Sequence, residues 1–260
     1  IVNPKVEVTG WTLEVEGGVG GPYVIDYAEL EKLPWIEEYA TLTCISNLVG
    51  GGLISNALWR GVPLKVILGR AQLPESTERL AFHAADGYVD SIPMDYAMRD
   101  NVIVAYMMNG VPLPDGHGFP ARIIVPGLYG MENVKWLTRI EPVPDDFRGY
   151  WQQRGWADTA VINTMSRVDV PSRGALVAPQ EVLVGGVAFA GDRGVVTAAL
   201  RVAGVGRTDV EIVTGQRRVD AAVDGVATVR GAQIVVGAQD LGVLAALLRM
   251  AGVVGAEVQV

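Results

Sequence analysis

Apolar positions fall in short β-prone runs through the first 160 residues, Val6–Val15 and Val102–Met107 among them, with proline and glycine between. Runs of this length bounded by turn formers predict strands. Two stretches read otherwise. Asp26 precedes Tyr27–Lys32, where a carboxylate can accept the free N–H groups of a helix start, so a short helix is predicted there. Val62–Gly69 predicts a second helical segment, stopped by its glycine. The first part of the chain is therefore mixed, and the fold class is α+β.

After Asp146 the pattern changes. The chain passes through Trp151-Gln-Gln-Arg-Gly-Trp156 into a region whose only aromatic residue is Phe189, which places a domain boundary near residue 158. Residues 1–158 form one domain in this reading and 159–260 a second. Gln180–Ala190, Thr208–Thr214 and Ala232–Val236 are predicted strands, and about Asp240 to Met250 a helix, so the second domain is mostly β. Its most apolar stretch, Leu241–Val254, is short and contains Arg249, which is costly at mid-bilayer depth; it reads as a core helix and strand. No repeat of 20–50 residues runs through the chain, which excludes a solenoid.

Charge and cysteine content narrow the function. The formal net charge is -8 with the basic residues scattered, which excludes a nucleic-acid surface. One cysteine excludes an intramolecular disulfide, and the lack of a Cys-x-x-Cys-His box excludes covalent c-type haem. Neither a signal peptide nor twenty uninterrupted apolar residues is present, and a chain that starts at Ile1 reads as a fragment or a processed form.

Two segments carry candidate chemistry. His117-Gly-Phe-Pro-Ala-Arg122 through Pro126-Gly-Leu-Tyr-Gly130 to Lys135-Trp136 gathers an imidazole, a guanidinium and an ammonium around a glycine-rich turn. Glycine lets backbone N–H groups approach a ligand, arginine offers a fork and lysine a point charge, a set suited to a phosphorylated cofactor. The same residues also read as surface charges and ordinary turns. In Thr41-Leu-Thr-Cys44-Ile-Ser-Asn47-Leu-Val-Gly50, a cysteine follows a β-prone run and precedes a triple-glycine loop. A thiolate there can ligate a soft metal, and a buried structural cysteine is the other reading.

Taken together, the Cys44 loop, Trp59-Arg-Gly-Val-Pro-Leu64, Gly87-Tyr88-Val-Asp-Ser-Ile-Pro93, Met108-Asn-Gly-Val-Pro-Leu-Pro114 and His117–Trp136 resemble the molybdopterin domain of the sulfite oxidase family, in the same order and at similar spacings. The resemblance covers about residues 8–195. It implies a mixed α/β molybdopterin domain followed by a smaller immunoglobulin-like dimerisation domain. It implies a molybdenum–molybdopterin cofactor, with Cys44 as the thiolate ligand of the metal and His117, Arg122 and Lys135 holding the pterin and its phosphate. Asn47, Gly130 and Asn133 complete the implied cofactor contacts. Tyr88 falls where the family places an active-site tyrosine, whose phenol would donate a hydrogen bond to the metal's exchangeable oxygen or to substrate. The implied chemistry is two-electron oxygen-atom transfer on a small molecule, with electrons passed to a separate haem protein or quinone-linked subunit. A homodimer, and an exported or membrane-tethered location with any tether ahead of Ile1, belong to the same resemblance.

Three departures qualify it. The family's cysteine lies in a Cys-Ala-Gly-Asn-Arg-Arg-like run whose second arginine helps bind the oxyanion; Leu48 and Val49 stand here. Losing that cation removes a charge-assisted bond of ~1.5–3 kcal/mol, roughly 10- to 100-fold in binding. The substrate is then a small oxyanion or an S- or N-oxide, tilted away from sulfite toward a sulfoxide, another S- or N-oxide or an unassigned substrate, with a sulfite oxidase proper, or a binding domain that has lost the cofactor, as the alternatives. The family's aromatic and basic pterin-contacting segment falls before Ile1. Residues 194–260 hold no aromatic residue, so the tail is either a diverged domain or not the native continuation.

Overall fold

The computed structural model describes residues 3–48 and 51–163 and, beyond them, seven strands by their backbone. The chain divides into two units, 1–162 and 163–260.

The first unit is built on two sheets. Strands β1 (Thr12–Val15), β2 (Tyr23–Asp26), β3 (Ile36–Thr43), β4 (Ile54–Pro63), β5 (Arg79–Ala84), β6 (Val89–Pro93), β7 (Ile103–Met108), β8 (Val111–Pro112), β9 (Arg122–Ile124) and β10 (Leu137–Val143) are joined by helices α1 (Tyr27–Lys32), α2 (Leu64–Leu68) and α3 (Met94–Ala97). One sheet has the order β2-β1-β10-β5-β6; the other runs β3-β4-β7-β8, with β9 also on β7. β1 and β10 pair in parallel, and the remaining pairs are antiparallel.

Both sheets feed one core. Leu13, Val15, Leu80, Phe82 and Ile140 from the first meet Val62, Val104 and Ile123 from the second, with Leu30, Leu64 and Ile67 from the helices. The second sheet is covered on its other face too. Alternate residues of β7 and β9, Ile103, Ala105 and Ile124, join Trp59, Ala40 and Leu113 in a second cluster. A strand buried on both faces has no polar alternation, which is why Ile103-Val-Ala-Tyr106 is apolar throughout. Arg122 is the exception on that second face.

Helix α1 forms as its sequence predicts. Asp26 accepts the Glu29 N–H at 2.7 Å while Glu29 accepts the Asp26 N–H at 3.2 Å, a reciprocal cap contributing about 1 kcal/mol. Two boundaries differ from expectation. Val62 and Pro63 continue β4, so α2 is only Leu64–Leu68, and its cap Gly69 is right-handed. Pairing of β4 with β7 through Val62↔Val104 and Pro63↔Ile103 overrides the local helical pattern. Within Val6–Val15 only Thr12–Val15 is a strand, since the chain turns at Gly10 with φ +87°.

In the second unit every described element is a strand: β11 (Met165–Val170), β12 (Val182–Phe189), β13 (Val195–Val202) and β14 (Ile212–Thr214) form one antiparallel sheet. β15 (Asp224–Val229), β16 (Ala232–Gly237) and β17 (Glu257–Gln259) form another, ordered β16-β15-β17. The predicted helix from Asp240 to Met250, and the whole of Leu241–Val254, lie outside the described residues. No helix among the described residues is long and apolar enough to cross a membrane.

Candidate functional site

The glycine-rich segment after β9 folds back along it. Ile123 donates to the Val134 carbonyl at 2.9 Å and Leu137 to that of Ala121 at 2.8 Å, so residues 133–137 run beside β9 and carry Lys135 next to Arg122. Asn133 closes the intervening loop: its Oδ1 accepts from Val125 at 2.7 Å, and its Nδ2 donates to the carbonyls of Leu128 and Tyr129. The amide is 2% exposed and spent on the loop, so Asn133 shapes the site rather than reaching out of it.

Arg122 ties the other side. One guanidinium N–H donates to the His117 carbonyl at 2.9 Å and another to that of Asn133 at 2.7 Å, with the guanidinium carbon 5.1 Å from the Trp59 ring centroid. Its Nε is buried and finds no acceptor among the described residues. Lys135 donates to Gly116 at 3.1 Å and lies 4.0 Å from the centroid of Trp136. Trp136 holds φ +51°, a left-handed conformation rare for a bulky residue and costing on the order of 1–3 kcal/mol; its indole N–H anchors it to the Asp115 carbonyl at 2.8 Å. Gly118 is where the strands of this knot meet. Its φ is +107°, and a Cβ there would lie 3.0 Å from that of Lys135 and 3.2 Å from that of Arg122.

The result is a local concentration of positive charge. Burial pushes the Arg122 guanidinium down to about 9. Burial and then the Arg122 charge lower Lys135, and burial followed by Arg122 and Lys135 lowers His117. His117 itself is exposed.

A cleft of about 550 Å³ opens beside this knot, and Tyr88, Arg122, Gly130, Asn133 and Lys135 all line it. Tyr150 and Trp151, which the sequence reading passed over, edge it, with ring centroids 5.1 Å apart. Tyr88 directs its hydroxyl inward, its single O–H shared between Asp90 at 2.7 Å and the Met131 carbonyl at 3.0 Å. Burial and the Asp90 charge raise its phenol far above the ordinary range.

Cys44, Asn47 and His117 are not on the cleft wall. Cys44 follows the last residue of β3, is exposed, and has its Sγ 3.0 Å from the Ser46 hydroxyl. Asn47 folds the loop by accepting from Leu53 at 2.9 Å. The link to the cleft is Gly130, where a Cβ would stand 3.4 Å from the carbonyl of Thr43, the neighbour of Cys44. Leu48, where the resemblance puts a family arginine, is 79% exposed. Among the described residues no three His, Cys, Asp or Glu side chains are grouped to hold a metal ion.

Comparison with known proteins gives the family. Residues 1–151 match the family described as "Oxidoreductase molybdopterin binding domain". Chicken sulfite oxidase is 34% identical over 231 residues, covering 72% of this chain and 50% of that protein. The uncharacterized oxidoreductase YuiH of Bacillus subtilis is 29% identical over 150 residues, 58% of this chain and 74% of its own. In fold, the sulfane dehydrogenase SoxCD from Paracoccus pantotrophus superposes with a TM-score of 0.62 at 23% identity, over 82% of this chain and 64% of that one. The chain thus spans half the length of the chicken enzyme. With more than half of its residues inside the family match, the chain belongs to the sulfite oxidase-like oxidoreductases with a molybdopterin-binding domain.

Proposed function

We propose that the first unit binds molybdenum–molybdopterin and catalyses two-electron oxygen-atom transfer on a small S- or N-oxide, with Cys44 as the protein ligand of the metal. The observation that carries this reading is the convergence of Arg122 and Lys135 on one cleft, with Arg122 Nε buried and unpartnered. Beyond burial, Arg122 depresses both Lys135 and His117, and Lys135 depresses His117, with Asp86 offsetting part of the effect on Lys135; a phosphate would supply further counter-charge. The donor set therefore fits a phosphorylated pterin, held by His117, Arg122 and Lys135. Bound there, the cofactor supplies the two-electron redox chemistry.

The protein's part is to hold and orient. Cys44 would contribute one thiolate, and the cofactor's own sulfurs would supply further ligands. Asn47 keeps the Cys44 loop closed through Leu53, and Gly130 lets that loop approach the cleft. Asn133 fixes the loop bearing Gly130. Tyr88 stands on the cleft wall as the candidate catalytic phenol.

Leu48 supports a neutral substrate. An exposed leucine stands where the family's arginine would add a cation for an oxyanion, while the Tyr150 and Trp151 rings present apolar surface at the cleft edge. A sulfite oxidase proper is the second reading, favoured by the 34% identity with the chicken enzyme. A cofactor-free binding domain is disfavoured because it would not need the thiolate, the guanidinium and the ammonium together. Reduction of an S- or N-oxide takes up two electrons, which a separate redox partner would supply, and a dimer through the second unit is part of the proposal. The test is steady-state assay of the molybdenum-loaded full chain on paired substrates: faster turnover of sulfoxides or N-oxides than of sulfite supports the reading, and the reverse order establishes the sulfite oxidase.

A further inference from the structure

Beneath Tyr88, two carboxyl groups that the proposed chemistry does not use are buried together. Asp90 on β6 is 0% exposed and Glu132, in the turn Gly130–Glu132, is 1%. The turn that carries Glu132 packs on β6, and two carboxyl groups buried together in one dry site favour a shared proton over two charges. Gln152 sits beside both groups: its Nε2 donates to Glu132 Oε1 at 3.1 Å, and a Cβ at Gly149 would lie close to both Gln152 Oε1 and Asp90 Oδ1. Glu132 Oε2 and Gln152 Oε1 are buried with no hydrogen-bond partner among the described residues. The chain closes over Asp90 at Gly149, where a Cβ would come within 2.5 Å of Asp90 Oδ1.

The surrounding charges do not neutralise this pair. Arg79 on β5 faces Glu132, but its guanidinium is held by Asp158 at 3.2 Å and Asp145 at 3.8 Å, and Arg148 is 3.9 Å from Asp158. Asp86, in the β5–β6 turn, and Tyr88 complete the neighbourhood. Burial pushes both carboxyls up, Glu132 further, and the Asp90 charge adds to the rise of Glu132. Asp90 accepts from the Tyr88 O–H and the Ser91 N–H, which favours its charged form, while Glu132 Oε2 is buried without a donor among the described residues, so Glu132 is the member suited to keep the proton.

We propose that Asp90 and Glu132 form a one-proton carboxyl pair that holds the Tyr88 O–H inward, so that the phenol offers its oxygen to the cleft as an acceptor and relays protons between cleft and pair. This rests on the reading of Tyr88 as an active-site residue. The relay balances without electrons. A proton arriving at the Tyr88 oxygen from the cleft sends the phenol's own proton to Asp90; the pair then holds two protons and no charge, and Tyr88 stays neutral. The return trip reverses each transfer. Asp90 acts through Tyr88 and is a positioning residue.

The test is infrared spectroscopy of the full chain across pH, in the region of protonated carboxyl C=O stretching. A band present at neutral pH is expected to vanish in Glu132→Gln, which keeps the shape of the side chain. A second protonation, of Asp90, is expected on acidification and moves to higher pH in Tyr88→Phe, because the phenol's hydrogen bond favours the charged carboxylate. A band that survives in Glu132→Gln, or an acid step that stays put in Tyr88→Phe, overturns the pair. On the molybdenum-loaded chain, Asp90→Asn should lower kcat and flatten its dependence on mildly acidic pH with KM unchanged; a retained acid limb overturns the relay. A chain that passes both infrared tests yet takes up no molybdenum contradicts the enzymatic reading and leaves the pair standing.

Discussion

The guanidinium of Arg122 donates at 2.7 Å to the main-chain carbonyl of Asn133, whose own side chain closes the glycine-rich loop. One buried cation thereby fastens the His117 segment and the loop that shapes the cleft. Lysine keeps the charge but cannot span both carbonyls. Arg122→Lys is therefore expected to lose about 2–4 kcal/mol in urea unfolding, since each charge-assisted bond contributes ~1.5–3 kcal/mol and a buried carbonyl is left unpaired. Stability within about 0.5 kcal/mol of the parent would show that the two carbonyl bonds are dispensable.

Gly118 and Gly155 both have positive φ, at +107° and +87°, but only Gly118 is crowded. Alanine at either should cost about 1 kcal/mol or more through backbone strain alone. At Gly118 the methyl also presses on Lys135 and Arg122, so Gly118→Ala is expected to weaken pterin retention, measured as pterin per chain after dialysis, while Gly155→Ala retains it. Equal retention in the two variants would separate the glycine from the site.

Glu132 gives the first unit a pH dependence of definite sign. In the unfolded chain it ionises near its usual value, roughly 4.3, whereas in the fold burial raises it to about 10. The stability linked to its proton is thus full below about 4 and is lost as pH rises toward the folded value, at about 1.4 kcal/mol per pH unit for one proton. Glu132→Gln removes that slope. Its urea midpoint relative to the parent should climb steadily from about pH 5 to 8; a constant difference would mean that Glu132 is ionised in the fold.

Local signals were legible in the sequence and long-range ones were not. The Asp26–Glu29 cap is written within four residues, and it forms as expected. Val62 and Pro63 read as helix because nothing local reveals that β3 and β7 flank β4. In the site, the Arg122 and Lys135 cluster stood out against the chain's acidic balance. Asp90 did not, since a carboxylate in Val89-Asp-Ser-Ile-Pro93 reads as a solvent-facing strand position. What buries it comes from remote segments, at Gly149, Gln152 and Glu132. Asn133 was expected among the cofactor contacts by resemblance alone, and that its amide clamps the loop could be seen only in the fold.

Leu48 offers a test of substrate choice. If its exposed side chain marks a missing cation, Leu48→Arg should tighten sulfite binding roughly 10- to 100-fold, read as a fall in KM or in the inhibition constant of sulfite in a sulfoxide assay. An unchanged constant would place position 48 away from the substrate.

The most direct test of a Cys44-ligated molybdenum centre is X-ray absorption at the molybdenum edge on the full chain and on Cys44→Ser, both expressed where the pterin cofactor is made. The expected result is about one molybdenum per chain in the parent, with one sulfur fewer around the metal in the variant. An unchanged sulfur count, or a parent chain without molybdenum, would contradict it.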